Sequence, residues 1–324
     1  MAFRSSARNI ISELGSSKQL GGLLADRLAC KSVIVVTDAG VRDAGLLEAG
    51  LSSMRAAGIK VTVFDEVVAD TPEDVVTQAA AVASANGADS VVGFGGGSSM
   101  DVAKLVAFLN GENPKQQGLA DIYGANKCEG KRLPLVQVPT TAGTGSEMTP
   151  TSFVTNAAFE KQGIASTLLI PDWAVLDGDL TVSMPSDMTA TSGISAMAHA
   201  IEAYTSKLKS NPLSDTLAKE ALRTLGANIE RACHDGSDRE ARQNMLLGAA
   251  YSGEARLGLA TNTHSVGALG QQRVASTPRD TAAQCRWPEL HVSHTHITSL
   301  CVPCAHCPGM AMTDAPLGGV HALA

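Results

Sequence analysis

Three consecutive glycines, Gly95, Gly96 and Gly97, stand in GFGGGSSMD (residues 93–101) between an apolar run and a helical pattern. Without a Cβ the backbone can take positive φ and approach a ligand closely, while the amides around Ser98 and Ser99 would face outward at a helix N-terminus. Such a loop suits a pyrophosphate; the competing reading is a tight strand-to-helix turn with no ligand. The spacing is not G-x-G-x-x-G, so that fingerprint does not apply. Asp38 closes the run SVIVVTD. A carboxylate there could accept both hydroxyls of an adenosine ribose and repel a 2′-phosphate, favouring NAD over NADP, or it could simply cap a turn before Gly40. PTTAGTGSE (residues 139–147) offers the hydroxyls of Thr140, Thr141, Thr144 and Ser146 to phosphate and ribose. Lys161 could add a positive charge near them, against the plainer reading of a solvated surface lysine. Ser195 and His199 lie four residues apart in SGISAMAHAIEAY, hence on one helical face. A lone histidine on an apolar helix is more often a core or surface residue than a ligand.

These residues need elements to hold them. SVIVVTD, KVTVFDEV (residues 60–67) and SVVGFGGG read as strands, separated by helical patterns through LLEAGLSSMRAAG and residues 72–86. Strands alternating with helices of this length imply right-handed crossovers and a parallel sheet. The last strand is expected in PLVQVPTT (residues 134–141). After about Thr181 the strands should stop, because the next three long stretches carry apolar residues at helical spacing. The expected fold is α/β: a parallel-sheet dinucleotide-binding domain over residues 1–180, then an all-helical domain, with a ligand cleft between them.

The whole composition agrees. Two domains are expected from 324 residues. Apolar residues make up 44% and aromatic ones only 3%, which favours a helix-rich α/β core over an all-β one. A net charge of −7 argues against a nucleic-acid-binding surface, and no apolar run is long enough for a membrane span. The cysteines, odd in number and unevenly spread, fit free thiols in a reducing compartment. A cytoplasmic location is expected, with a mitochondrial address as the alternative suggested by the basic start MAFRSSARN.

GFGGGSSMDVAK, QVPTTAGTGSEMTP, LIPDWAVLDGDLT and HAIEAYTS, in this order, resemble the iron-containing (group III, metal-dependent) alcohol dehydrogenases, whose near relatives include maleylacetate reductases and hydroxyacid-oxoacid transhydrogenases. The resemblance covers residues 9–253 and 309–324. It implies NAD as cofactor and a divalent metal, Fe²⁺ or Zn²⁺, in the cleft, where the metal polarises a substrate alcohol or carbonyl as hydride passes to or from the nicotinamide. It also implies an alcohol, aldehyde or hydroxyacid as substrate, and a homodimer is the expected assembly. By position, Asp38 matches the ribose-reading acid, and Gly96, Gly97, Ser98 and Ser99 with Asp101 match the pyrophosphate loop. Thr140, Thr141, Ser146 and Lys161 match further cofactor contacts. In the family an Asp and three His hold the metal. His199 and His321 match two of the histidines, Ser195 stands at the Asp position, and the third histidine belongs to a Pro-His-Gly segment not reached by Ala324. Losing groups that bind the metal directly should cost more than the ~10–100-fold lost when only the groups that orient those ligands are disturbed, so weak metal binding and slow or absent turnover are expected. No catalytic acid or base is assigned.

Residues 254–308 break the pattern. They lack a sustained period and hold five of the eight histidines. Without them LLGAAYSG runs directly into MAMTDAPLGGVHALA as one helical pattern, and Gly253-Glu254 and Pro308-Gly309 can be encoded by splice-donor and splice-acceptor sequences. A retained intron translated in frame is the expected origin, which leaves the helical domain as residues 181–253 and 309–324. The alternative is a zinc module built on Cys301, Cys304 and Cys307 with His294, His296 and His306, although these ligands are compressed for such a site. His264 is read as an accidental echo of a family metal ligand. Two alternatives stand beside the dehydrogenase: a non-catalytic truncated product that only binds NAD(H), and a transhydrogenase passing hydride between a hydroxyacid and an oxoacid through tightly held cofactor.

Overall fold

The computed structural model describes residues 7–206 and 211–256. Nine strands form among them: β1 (Asn9–Ser12), β2 (Ser32–Val36), β3 (Lys60–Phe64), β4 (Ser90–Gly95), β5 (Gly124–Ala125), β6 (Leu135–Pro139), β7 (Thr151–Thr155), β8 (Lys161–Ala165) and β9 (Trp173–Leu176). Six of them make one sheet in the order β1-β9-β6-β4-β2-β3, with every pairing parallel. A second, three-stranded sheet holds the antiparallel hairpin β7–β8 with β5 beside it.

A parallel sheet needs cover on both faces, and β2 shows how the residues supply it. Ile34 and Val36 point into one cluster with Val76, Val102 and Leu105; Val33 and Val35 point into another with Leu20, Leu51 and Met54. The covering helices are α1 (Leu20–Gly22), α2 (Ala39–Asp43), α3 (Glu48–Ala56), α4 (Glu73–Ala85), α5 (Gly97–Leu109) and α6 (Leu119–Ile122). Nine of the thirteen residues of α5 are buried, as suits a helix packed between sheet and hairpin. Among the described residues no strand follows Leu176; α7 (Ser186–Thr205), α8 (Pro212–His234) and α9 (Arg239–Ala255) pack on one another through Leu225, Ala232, Met245 and Leu246.

The expected strands at β2, β3, β4 and β6 form, and so do the three late helices. The expectation that strands end at Thr141 is overturned, since β7, β8 and β9 follow, and β1 precedes the first expected strand. β1 and β9 have four residues each, too few to display a period. Their pairing, Asn9 to Trp173 through Ser12 to Leu176, joins segments far apart in the chain.

Two contacts tie the helices to the sheet. Gln243 on α9 accepts from Gly178 N at 2.7 Å and donates to Leu176 O and Ser12 Oγ, both at 2.9 Å. The loop after β6 meets α9 backbone to backbone: a Cβ on Gly253 would lie 2.5 Å from Gly145 O, and one on Gly145 2.8 Å from Ala249 O. Gly145 also has φ +61°, a conformation that side chains disfavour. Gly253→Ala should therefore destabilise the protein by about 1–3 kcal/mol through overpacking; a chemical-denaturation midpoint equal to that of the parent would contradict the contact.

Candidate functional site

At the carboxyl ends of the central strands, β4 turns into α5 through Gly95, Gly96 and Gly97. Gly96 is the N-cap and supplies no side chain, so no side-chain cap covers the first amides of α5. The space beside each glycine is filled by a neighbour. At Gly95, with φ +156°, a Cβ would meet Ser99 Oγ at 2.7 Å and Asp38 Oδ2 at 3.2 Å. At Gly97 it would meet Thr144 Cγ2 at 2.7 Å, and at Gly96 Thr141 at 3.7 Å. Thr140 N donates to Gly95 O at 2.9 Å, aligning the two loops. Beneath them Gln137 Nε2 donates to Met100 O at 3.0 Å, fixing the first turn of α5 to β6.

Asp38 follows β2 and is the N-cap of α2, where Oδ1 accepts from Val41 N at 3.0 Å. Its other oxygen accepts from Ser99 Oγ at 3.2 Å. The carboxylate thus caps the turn and also stands against the glycine loop. A carboxylate has about four acceptor sites, so two internal donors still leave room for ribose hydroxyls.

One turn along α5 lies a buried polar group built on Lys104 and Asp101. Lys104 is fully buried and donates to Ser146 Oγ at 2.7 Å, Thr149 Oγ1 at 3.2 Å and Thr151 O at 2.6 Å, which uses all three protons of its ammonium. Ser146 Oγ donates onward to Asp101 Oδ1 at 2.6 Å, and Asp101 Oδ2 accepts from Phe153 N at 3.0 Å. Asp101 and Ser146, both expected near the cofactor, are held together here in the network that anchors the hydroxyl loop. Burial pushes the Asp101 carboxyl up, against the pull of Lys104, and pushes the Lys104 ammonium down. Glu147, also buried, is pushed up to about 7 by desolvation, with its own backbone and Lys104 opposing. Lys104 and Glu147 carry no signal of this role in residue type alone, since one stands in an apolar helix and the other ends a loop of hydroxyls. A lysine on the same helical face as Met100, Ala107 and Phe108 was the available signal.

Lys161 begins β8 and pairs with Thr155, at the opposite end of the hairpin from Thr151. Its ammonium pairs with Asp70 at 2.9 Å and lies 5.8 Å from the Phe153 ring.

For a dinucleotide the fit is good: uncovered helix amides, glycines where side chains would collide, and a carboxylate at the strand end. For a metal the described residues do not fit. His199 is buried on α7 with half-buried Ser195 one turn before it, and no group of three or more His, Cys, Asp or Glu suited to a metal ion occurs among the described residues. His321, residues 257–308 and residues 309–324 lie outside the described residues.

The family profile described as iron-containing alcohol dehydrogenase matches residues 7–178, and that of the Fe-containing alcohol dehydrogenase family, C-terminal, matches residues 189–269, a span that runs past Gly253 and includes His264. The chain is 38% identical over 227 residues to long-chain-alcohol dehydrogenase 1 of Geobacillus thermodenitrificans, covering 70% of this chain and 57% of that protein. Among solved structures, 1,3-propanediol oxidoreductase superposes with a TM-score of 0.74 at 31% identity, covering 79% of this chain and 66% of the other. Sulfoacetaldehyde reductase from Bifidobacterium kashiwanohense, solved in complex with NAD⁺, superposes with a TM-score of 0.72 at 29% identity, covering 79% and 67%. The chain spans between 57% and 60% of the length of the first curated relatives it matches.

Glu147 makes the network sensitive to pH. An acid whose folded-state pKa is about 7, raised from 4.5, binds more protons folded than unfolded between those values. Its stabilising contribution is complete below about 4.5 and is lost as pH rises through about 7. Thermal unfolding of the parent and of Glu147→Gln should therefore diverge between pH 5 and pH 8, the parent losing on the order of 2–4 kcal/mol relative to the variant. Parallel pH profiles would show that Glu147 is ionised throughout.

Proposed function

The chain belongs to the iron-containing alcohol dehydrogenase family, and on that premise we propose that it binds NAD(H) in the cradle formed by Gly96, Gly97, Ser98 and Ser99 with Thr140 and Thr141, and serves hydride transfer to or from a small alcohol, aldehyde or hydroxyacid. The observation that carries this reading is the glycine loop closed over by Thr141 and Thr144 while Ser99 holds Asp38 against it.

Bound NAD(H) supplies the hydride acceptor or donor for the carbinol carbon of the substrate. The chain's residues do the positioning. The first amides of α5, free of any side-chain cap, face the pyrophosphate, where the helix dipole favours negative charge. Asp38 accepts from the ribose hydroxyls and repels a 2′-phosphate. Lys104 and Asp101 act through Ser146, fixing the loop that bears Thr140 and Thr141, so the hydroxyls meet the cofactor without a search for their conformation.

No step is assigned to a metal, because the described residues supply His199 with a serine one turn earlier and no cluster of donors. Binding of Fe²⁺ or Zn²⁺ is expected to be weak and turnover slow. A protein that holds dinucleotide without efficient chemistry is the second reading, and Ser195 one turn before His199, where the family has an Asp, favours it. The thiols of Cys30, Cys128 and Cys233 are free, which suits a reducing, cytoplasmic setting, and a homodimer is the assembly we expect.

Titration with NADH, followed by its fluorescence, tests the reading. Saturable binding is expected, and Gly97→Val, whose side chain would collide with Thr144, should weaken it at least about tenfold. A flat titration of the parent would overturn the assignment. Dialysis against a chelator should leave NADH affinity unchanged; one tightly retained metal ion per chain would refute weak metal binding.

A further inference from the structure

The ribose end of the cradle contains a second, unassigned feature. Arg42 lies on α2 four residues after Asp38, hence on the same helical face. An arginine in that place is the residue type that accommodates a 2′-phosphate in dinucleotide sites, so its presence beside a ribose-reading acid is a contradiction unless something occupies it. Two carboxylates do. Arg42 Nε donates to Asp43 Oδ1 at 2.9 Å, and Arg42 Nη1 donates to Asp65 in a short ion pair. Both contacts raise the guanidinium's affinity for its proton, Asp43 the more.

The two carboxylates are not equivalent. Asp43 is the next residue on the same exposed helix; its side chain is 68% exposed and that of Arg42 50%, so solvent screens both pairs, that with Asp43 the more despite its closer hold on the guanidinium. Asp65 comes from another element: it follows β3, its side chain is only 26% exposed, and the next residue, Glu66, forms an isolated antiparallel bridge with Asp38. The chain beyond β3 is thereby fixed alongside the ribose-reading acid, and Asp65 is delivered to Arg42 from a rigid edge.

We propose that Asp65 is a specificity-determining residue, which sequesters Arg42 and so denies a 2′-phosphate its counter-charge, making the preference for NAD(H) over NADP(H) depend on two acids rather than on Asp38 alone. Asp38 excludes the phosphate by repulsion, and Asp65 removes the group that would otherwise compensate for it. This inference rests on the cradle binding a dinucleotide.

Equilibrium titrations with NADH and with NADPH, for the parent, Asp65→Asn, Asp38→Ser, the double variant, and the double variant carrying Arg42→Leu, separate the possibilities. Serine remains a good N-cap, so Asp38→Ser keeps α2 closed. Asp65→Asn should leave NADH affinity unchanged, which also reports an intact fold, while tightening NADPH. The double variant should bind NADPH roughly 10–100-fold more tightly than Asp38→Ser, the range of one charge-assisted hydrogen bond, and the gain should shrink with added salt. Arg42→Leu in that background should abolish the gain. If the double variant binds NADPH no better than Asp38→Ser, the proposal fails. It fails equally if the gain survives Arg42→Leu, since Asp65 would then act by repulsion alone. A parent that binds neither dinucleotide overturns the functional reading itself, and this inference with it; a parent that binds NADH while Asp65→Asn leaves NADPH affinity unmoved overturns the inference alone.

Discussion

A buried ammonium can keep its charge only where acceptors are brought to all three of its protons and a counter-charge stands nearby. Lys104 is such a group, and its needs organise the region around it. Its acceptors come from the short helical turn after β6, the segment leading into β7, and β7 itself; its counter-charge, Asp101, comes from its own helix at 3.6 Å. Three pieces of chain with no period in common are therefore held in one place by one side chain. The hydroxyl loop is tied to this centre through Ser146, while its few apolar residues, Ala142 and Met148, are buried against the late helices.

The second organising device is the absence of side chains. Gly93 faces Gln137, whose amide occupies the place of a Cβ, and Gly97 is filled by Thr144. Gly145 and Gly253 let a loop and a helix touch at the backbone. Each glycine marks a point where two elements come closer than any alanine would permit. Together they stack sheet, cradle, hydroxyl loop and α9 in a continuous series of close contacts.

Much of this was legible in the chain. The β-branched run of β2, the glycine triplet and the apolar spacing of α7, α8 and α9 each carry a period or a composition that only one kind of element satisfies. Asp38 illustrates how close two readings can be, because it is both a cap and a neighbour of the glycine loop, and nothing in the residues themselves separates those roles. What was hidden is long-range or unperiodic. β1 and β9 are short and find each other only through tertiary pairing, and Arg42, Asp65 and Lys104 gain their meaning from partners on other elements. A charged residue read alone looks like a solvated surface; the partner's position, which no local pattern contains, decides otherwise.

The pairing of β1 with β9 also has a bearing on how the molecule is made. Asn9 leaves the ribosome first among the sheet residues, yet the strand it must join ends at Leu176. At about 5–20 residues per second, translation leaves the opening strand waiting for roughly 8–33 s. During that interval Ile10 and Ile11 present an open edge with no native complement. The central strands β2, β3 and β4 find their partners within a short stretch of chain, whereas β1 can be secured only after β9 has emerged.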